Sequence, residues 1–384
     1  MASSMVGAQP SFSTLAISTN EPVVSVDWLH ANIRDPDLKV LDASWYMPDE
    51  QRNPLQEYQV ACIPGALFFD IDGITDRTTN MLQLAILHAF EIDFIIFYDI
   101  KALLIYQLPH MLPSEEAFAA AVSALGIKNK DGVVIYDGKG IFSAARVWWM
   151  FRAFGHDKVW VLDGGLPRWR ASGYDVESPG DAILKASVAT EAIEKVYQGQ
   201  MVGPSTFQTK FQPHLVWSLD QVGFLDCFLP YNTWWWLHLA MYHEADGNGK
   251  DFFWIIDIQA VKRNIQDQTY QHIDARSKAR FDGVAPEPRK GINSGHVPGS
   301  KCIPFPQMLD GSQTLLSREE LEKKFGQEGI SLDKPIVASC GTGVTACVLV
   351  LGLHRLGKTD IPVYDGSWTE WATQPDTPLC TSER

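Results

Sequence analysis

Two long stretches of this sequence are copies of one another, so the chain must fold as a pair of similar units. In the first copy, Val133-Val-Ile-Tyr-Asp137-Gly-Lys-Gly140-Ile leads through an Ala/Trp-rich segment to Val159-Trp-Val-Leu-Asp163-Gly-Gly. In the second, Ile336-Val-Ala-Ser-Cys340-Gly-Thr-Gly343-Val leads to Ile361-Pro-Val-Tyr-Asp365-Gly-Ser-Trp368. Asp137 and Asp163 are 26 residues apart and Cys340 and Asp365 are 25 apart, so the registers agree within one. Upstream, Val40-Leu-Asp42-Ala-Ser matches His272-Ile-Asp274-Ala-Arg-Ser, and Ile63-Pro-Gly-Ala matches Val297-Pro-Gly-Ser. In each copy a short β-rich run ends at a Gly-containing turn that opens an amphipathic helix, and a second short strand follows. That alternation predicts an α/β fold of two domains, each a mainly parallel sheet flanked by helices.

The copies set the domain limits. Residues 1–20 read as a flexible N-terminus, 21–185 as the first domain, 186–212 as a linker, 213–379 as the second domain and 380–384 as a tail. The linker falls in a polar stretch, 178–213, that gathers Gly180, Gly199, Gly203 and Pro204. Each copy also carries a surplus block. Positions 67 to 112 span 45 residues where 303 to 316 span 13, and 216 to 274 span 58 where 24 to 42 span 18. The surplus lies at 81–107 and 223–261, both rich in apolar runs such as Ile95-Ile-Phe-Tyr and Trp234-Trp-Trp. The expectation is that both are excursions outside the core, either intron-like sequence or partner-binding segments, and that deleting them leaves the fold intact.

Charge excludes some partners. With 32 basic and 46 acidic residues the net charge is -14, which argues against a broad nucleic-acid footprint or an anionic membrane. The most apolar stretch, 84–106, contains Glu91, Asp93, Asp99 and Lys101, each costing about 2.5 to 3.5 kcal/mol at a membrane centre. Six cysteines, at 62, 227, 302, 340, 347 and 380, show neither CxxC nor Cys/His metal spacing. They predict free thiols in a reducing compartment, with no zinc and no cofactor. The N-terminus lacks Lys, Arg and an apolar core, and makes a poor signal or transit peptide.

Cys340 is the sharpest chemical signal. It follows a strand-like run and precedes Gly341, Thr342, Gly343, Val344 and Thr345, then a helix, so successive loop amides can point at its sulfur and favour a thiolate. Ligands of open α/β sheets bind at such strand ends. Cys347 lies within the apolar helix and reads as core. Around residues 276–290 five basic side chains face two acidic ones, a local +3 suited to an anionic substrate. Arg276 reads as a structural partner of Asp274. Asp137 stands where the second copy has Cys340, so the first domain is expected to be catalytically silent. The turns at Asp163-Gly164-Gly165 and Asp365-Gly366-Ser367 read as strand-to-helix turns, and Cys62, where the second copy has His296, as a small buried residue.

The run Cys340-Gly-Thr-Gly-Val-Thr-Ala346, with Asp274-Ala-Arg-Ser-Lys-Ala-Arg280-Phe, Glu287-Pro-Arg289 and Gly295-His-Val-Pro-Gly299, strongly resembles tandem-rhodanese sulfurtransferases of the plant 3-mercaptopyruvate type. Apart from the surplus blocks, the resemblance covers about residues 21–379. It implies two rhodanese-like domains and transfer of sulfane sulfur from 3-mercaptopyruvate, or thiosulfate, through a persulfide on Cys340 to cyanide or a thiol such as thioredoxin. It further implies substrate binding by Arg280, Arg289 and the loop 341–345, and a proton relay of Asp72, His110 and Thr342. The uncharged Gly341 and Thr342 look like the mercaptopyruvate form, since thiosulfate-preferring members carry Arg and Lys there. Expected with it are a monomer in the cytoplasm or mitochondrion, and neither nucleic acid nor membrane as partner. Two competing expectations stand. Cysteine phosphatases of this fold place Arg six residues after the nucleophile, where this chain has Ala346. A non-catalytic paralogue or splice form would arise if the surplus blocks prevented domain docking.

Overall fold

The computed structural model describes residues 21–78, 108–180, 182–217, 259–374 and 377–381. Both copies form the same sheet. In the first, β1 (Val23–Val24), β2 (Leu38–Asp42), β3 (Leu67–Phe68), β4 (Gly132–Tyr136) and β5 (Val159–Leu162) pair in the order β1-β5-β4-β2-β3. In the second, β6 (Val216–Trp217), β7 (Gln271–Asp274), β8 (Lys301–Cys302), β9 (Ile336–Ser339) and β10 (Val363–Tyr364) pair as β6-β10-β9-β7-β8. Every pairing is parallel. A parallel strand is covered on both faces, which is why Gly-Val-Val-Ile-Tyr of β4 is apolar throughout rather than alternating, and buried at every position.

The helices flank the sheets. They are α1 (Val26–Asn32), α2 (Pro54–Val60), α3 (Glu115–Ala124), α4 (Ala144–Ala153), α5 (Gly165–Ala171), α6 (Ala182–Tyr197), α7 (Gln259–Asp267), α8 (Lys278–Phe281), α9 (Arg318–Gln327), α10 (Ala346–Arg355) and α11 (Ser367–Thr373). Several starts are written in the sequence. Ser25, Asn53 and Ser114 each accept the amide three residues on, and Ser317 with Glu320 closes a reciprocal capping box at α9. No helix among the described residues is long and apolar enough to cross a membrane.

The two domains share one apolar core. Helix α4 packs against α10, and the edge of Trp148 meets His354 with ring centroids 5.3 Å apart. Truncating Trp148 to Ala would cost about 3 to 5 kcal/mol, because the void lies where neither sheet can collapse into it. The cleft beside this junction holds the C-terminal ends of β4 and β9.

Two sequence expectations need correction. The polar stretch read as a linker, 186–212, begins inside α6, a helix of the first domain packed on α3 and β3. Its Ala186, Ala189 and Ile193 form a buried stripe at helical spacing, small enough to be hidden among polar neighbours. The following connection is also strapped down: the Thr206 and Phe207 amides donate to Ser123 Oγ, and Phe207 is buried against Phe118 and Phe151. The block drawn at 223–261 runs too far, since α7 starts at Gln259 and Val261 is core. The block 81–107 and residues 223–258 lie outside the described residues.

Candidate active site

Cys340 is the first residue after β9, and it is buried. Its loop is held by its carbonyls. The Cys340 carbonyl accepts the Trp368 N–H at 3.0 Å and the Gly341 carbonyl accepts the Thr369 N–H at 2.9 Å, both from the first turn of α11. The Gly343 carbonyl accepts the Cys347 thiol at 3.2 Å and Arg146 Nη1 at 3.4 Å. In a trans peptide the following N–H points the opposite way. The amides of Gly341 and Thr342 therefore face away from α11, and none of the amides of residues 341–345 meets a protein acceptor among the described residues. Such a run of unmet donors at the N-terminus of α10 suits an anion. Gly343 is required: it sits at φ 74°, and a Cβ there would lie 2.7 Å from the Asp365 carbonyl.

The matching loop of the first domain holds an anion of its own. Asp137, buried at 1 % exposure, accepts the Lys139 amide at 2.8 Å on Oδ1, and the Phe142 and Ala144 amides at 2.8 and 2.9 Å on Oδ2. Its own carboxylate is the anion.

Cations border the open cradle. Nη2 of Arg280 is beside Gly341, 3.2 Å from where a Cβ would stand. Its Nε and Nη2 donate to Glu287, whose carboxylate also accepts Arg276 Nη1 at 2.8 Å. Arg276 is buried, forked onto Asp274 and stacked over the Trp368 ring at 4.4 Å. It props Glu287, which in turn fixes Arg280, so this half-buried guanidinium has a rigid base.

The first domain supplies the opposite wall. His110 is buried, with Nδ1 3.0 Å from Asp72 Oδ1, and its ring meets Trp45 edge-on at 4.8 Å. Trp45 Nε1 donates to the other oxygen of Asp72 at 3.0 Å. The Asp72 contact lies off the line of an N–H bond, and His110 Nε2 has no partner among the described residues. Burial holds the His110 imidazole below its ordinary range, Asp72 opposes this, and Arg289 and Arg146 add to it. Burial raises the Asp72 carboxyl, but His110, Trp45 and Arg289 outweigh burial and hold it below the usual value. The pair is thus a neutral imidazole beside a carboxylate at neutral pH. Arg289 of the second domain is thus close enough to act on both groups through its charge.

Comparison with known proteins agrees with this geometry. The rhodanese-like domain matches twice, over residues 25–172 and 257–374. The chain belongs to the rhodanese-like domain family. It is 66% identical over 381 residues to thiosulfate/3-mercaptopyruvate sulfurtransferase 1, mitochondrial, of Arabidopsis thaliana, covering 99% of this chain and 83% of that protein. Identity to thiosulfate/3-mercaptopyruvate sulfurtransferase 2 of the same plant is 62% over 384 residues, covering 100% of this chain and 92% of that one. Among solved structures, SseA from Escherichia coli, a 3-mercaptopyruvate sulfotransferase, superposes with a TM-score of 0.62 at 29% identity, covering 91% of this chain and 99% of its own.

The rhodanese-like architecture sets Arg280 against Gly341 beside Cys340, pairs Asp72 with His110, and links the Gly343 and His110 peptides through Arg146. Thr342 is largely buried in the loop, Val344 is buried and offers backbone alone, and Thr345 starts α10. Cys347 is buried against Gly343, and burial pushes its thiol far up. Burial likewise pushes the Cys62 and Cys302 thiols up to about 12. Sequence reading missed Arg146, Trp45 and Glu287. It also took Asp365 for a turn residue only, although Asp365 accepts the Leu112 amide at 2.7 Å and pairs with Arg146 at 2.6 Å, both across the domain junction. A charged residue inside an otherwise apolar helix was the available signal for Arg146.

Proposed function

We propose that this chain is a sulfurtransferase that carries sulfane sulfur on Cys340, taking it from 3-mercaptopyruvate or thiosulfate and giving it to cyanide or a thiol. The observation that carries this reading is the open cradle: a strand-end cysteine in a loop whose amides lack a protein acceptor, beside a propped arginine.

In this mechanism Arg280 and Arg289 grip the carboxylate and ketone oxygens of mercaptopyruvate with directional donors. The Cys340 thiolate attacks the donor sulfur, an S–S bond forms, and the C–S bond breaks with its electron pair passing to the carbon. That carbon becomes the pyruvate enolate and takes up one proton, matching the one lost by the donor thiol. The Thr342 hydroxyl, His110 and Asp72 relay it. The persulfide anion then rests among the amides of residues 341–345, as the Asp137 carboxylate does in the other domain. A second thiolate, such as that of reduced thioredoxin, removes the outer sulfur and regenerates Cys340. The first domain is catalytically silent and supplies one wall. The protein acts as a monomer on small anionic donors, in the cytoplasm or mitochondrion; the name of the first Arabidopsis relative supports the latter.

Cys340→Ser is expected to end pyruvate release from mercaptopyruvate, and sulfite release from thiosulfate, because an alkoxide-poor hydroxyl cannot hold sulfane sulfur. Turnover retained by that variant would remove Cys340 from the mechanism. Arg289→Ala should raise KM for mercaptopyruvate by about tenfold or more, the loss of a charged contact worth roughly 1.5 to 3 kcal/mol; an unchanged KM would place the carboxylate elsewhere.

A further inference from the structure

Arg146 stands in the middle of α4 between Ala145 and Val147, with Trp148 and Trp149 following, where nothing local calls for a cation. Its side chain is 0% exposed, and a guanidinium persists there only if its charge and donors are met. They are met across the domain junction. Nη2 donates to Asp365 Oδ1 at 2.6 Å and to the His110 carbonyl at 2.5 Å, and Nη1 reaches the Gly343 carbonyl at 3.4 Å. Both anchored peptides are conformationally unusual, with His110 at φ 63° and Gly343 at φ 74°. A non-glycine residue at such φ costs on the order of 1 to 3 kcal/mol and is kept only where its surroundings fix it. Asp365 closes the clamp by accepting the Leu112 amide two residues beyond His110.

The pseudo-equivalent junction is clamped differently. Asp163 accepts the Leu315 amide at 2.8 Å, as Asp365 accepts Leu112. The residue of α10 that matches Arg146 is Val348, and the arginine there is Arg355, which reaches the Leu315 and Leu316 carbonyls of its own domain and pairs with Glu21 of the first domain at 2.6 Å. Of the two arginines, only Arg146 bonds a peptide of the loop that holds Cys340.

We propose that Arg146 is a positioning residue for sulfur transfer, fixing the Gly343 peptide of the Cys340 loop and the His110 peptide of the other domain to one rigid plane. The inference rests on the reading of Cys340 as the sulfur carrier. Docking of the first domain and readiness of the loop are then one event, and the silent domain contributes to the chemistry without touching the donor.

The test uses full-length Arg146→Lys, Arg146→Met and the double variant Arg146→Met/Asp365→Asn, with Cys340→Ser alongside. Arg146→Lys keeps the charge but offers one ammonium for three acceptors; its kcat for pyruvate release should fall by about 10²-fold, the effect of an ångström-scale misplacement. KM should hold within about threefold, because Arg280 and Arg289 are untouched. Arg146→Met strands the buried Asp365 carboxylate, and the double variant removes that charge, so its melting midpoint should recover while its rate stays low. In Arg146→Met the pH limb belonging to His110 should move up, since one of two cations pulling it down is gone while Asp72, Trp45 and Arg289 still face the ring; in Arg146→Lys it should stay. A double variant as stable and as fast as the wild type would overturn the proposal, and so would an Arg146→Lys enzyme at full rate. Should the neutral variants fail to fold, the Arg146→Lys rate decides alone. Turnover by Cys340→Ser would instead defeat the underlying reading, so the two failures are distinguishable.

Discussion

The loop after β4 and the loop after β9 match in length within one residue and share two glycines and a following helix, yet they are completed differently. In the first, Asp137 folds its carboxylate back onto three amides of its own loop. In the second, Cys340 takes that position, the amides of residues 341–345 have no protein acceptor among the described residues, and Arg280 borders the opening. The backbone is one anion receptor used twice. A permanent internal anion makes one copy a structural element, and a residue that becomes anionic through reaction makes the other a site of chemistry.

The largest expected effect comes from making the second loop like the first. Cys340→Asp should lower pyruvate release by at least about a thousandfold, as loss of a nucleophile does, while leaving the chain folded with a melting midpoint no lower than wild type. A variant that unfolds would show that the two loops are not equivalent receptors. Opening the first loop should be felt in stability rather than rate. Asp137→Ala leaves three inner amides without their acceptor, and a loss of about 3 kcal/mol in denaturant unfolding is expected, with kcat per folded molecule unchanged. A fall in kcat at full stability would mean that the first loop takes part in chemistry.

A smaller effect sharpens the role of loop charge. Replacing Gly341 and Thr342 by Arg and Lys should raise the thiosulfate to mercaptopyruvate efficiency ratio by about tenfold, equivalent to roughly 1.4 kcal/mol. Part of this arises because a side chain at 341 meets Arg280. An unchanged ratio would assign donor choice to the arginines alone. The smallest effect separates the two junction aspartates. Burial raises the Asp163 carboxyl to about 6, against opposing help from the Leu315 amide and Arg355. Since the folded state binds this proton more tightly than the unfolded chain, Asp163 favours folding below about pH 4, and that contribution is lost as pH rises through 6. Asp163→Asn should therefore raise the melting midpoint at pH 8 by a few degrees, about 1 kcal/mol, and leave it unchanged near pH 4. Equal melting curves at both pH values would contradict the assignment.

Much of this was legible in the chain because repetition and strand composition are local. Two parallel sheets, the strand-end position of Cys340 and the pairing of Arg276 with Asp274 all follow from residues close together in sequence. Even Asp72 and His110, with the block at 81–107 between them, come within 3.0 Å. What stayed hidden depends on the other domain. Arg146 looks like an interruption of a core helix until Asp365 and Gly343 are brought to it, and Asp163 and Asp365 look like turn residues until Leu315 and Leu112 approach. The Asp137 carboxylate was read as the absence of a nucleophile, when it is also the ligand of its loop. Helix α6 was taken for a linker because its buried stripe is mostly alanine, which carries little hydropathy signal.

The account's central claim is that the second receptor receives its anion as a sulfur atom on Cys340. Peptide-resolved mass spectrometry of the wild-type chain, after brief exposure to 3-mercaptopyruvate without an acceptor, measures this directly. One added sulfur on the peptide bearing Cys340, none on Cys347, and its removal by a thiol are the predicted result. Sulfur found on Cys347, or pyruvate released with Cys340 unmodified throughout, would contradict the account.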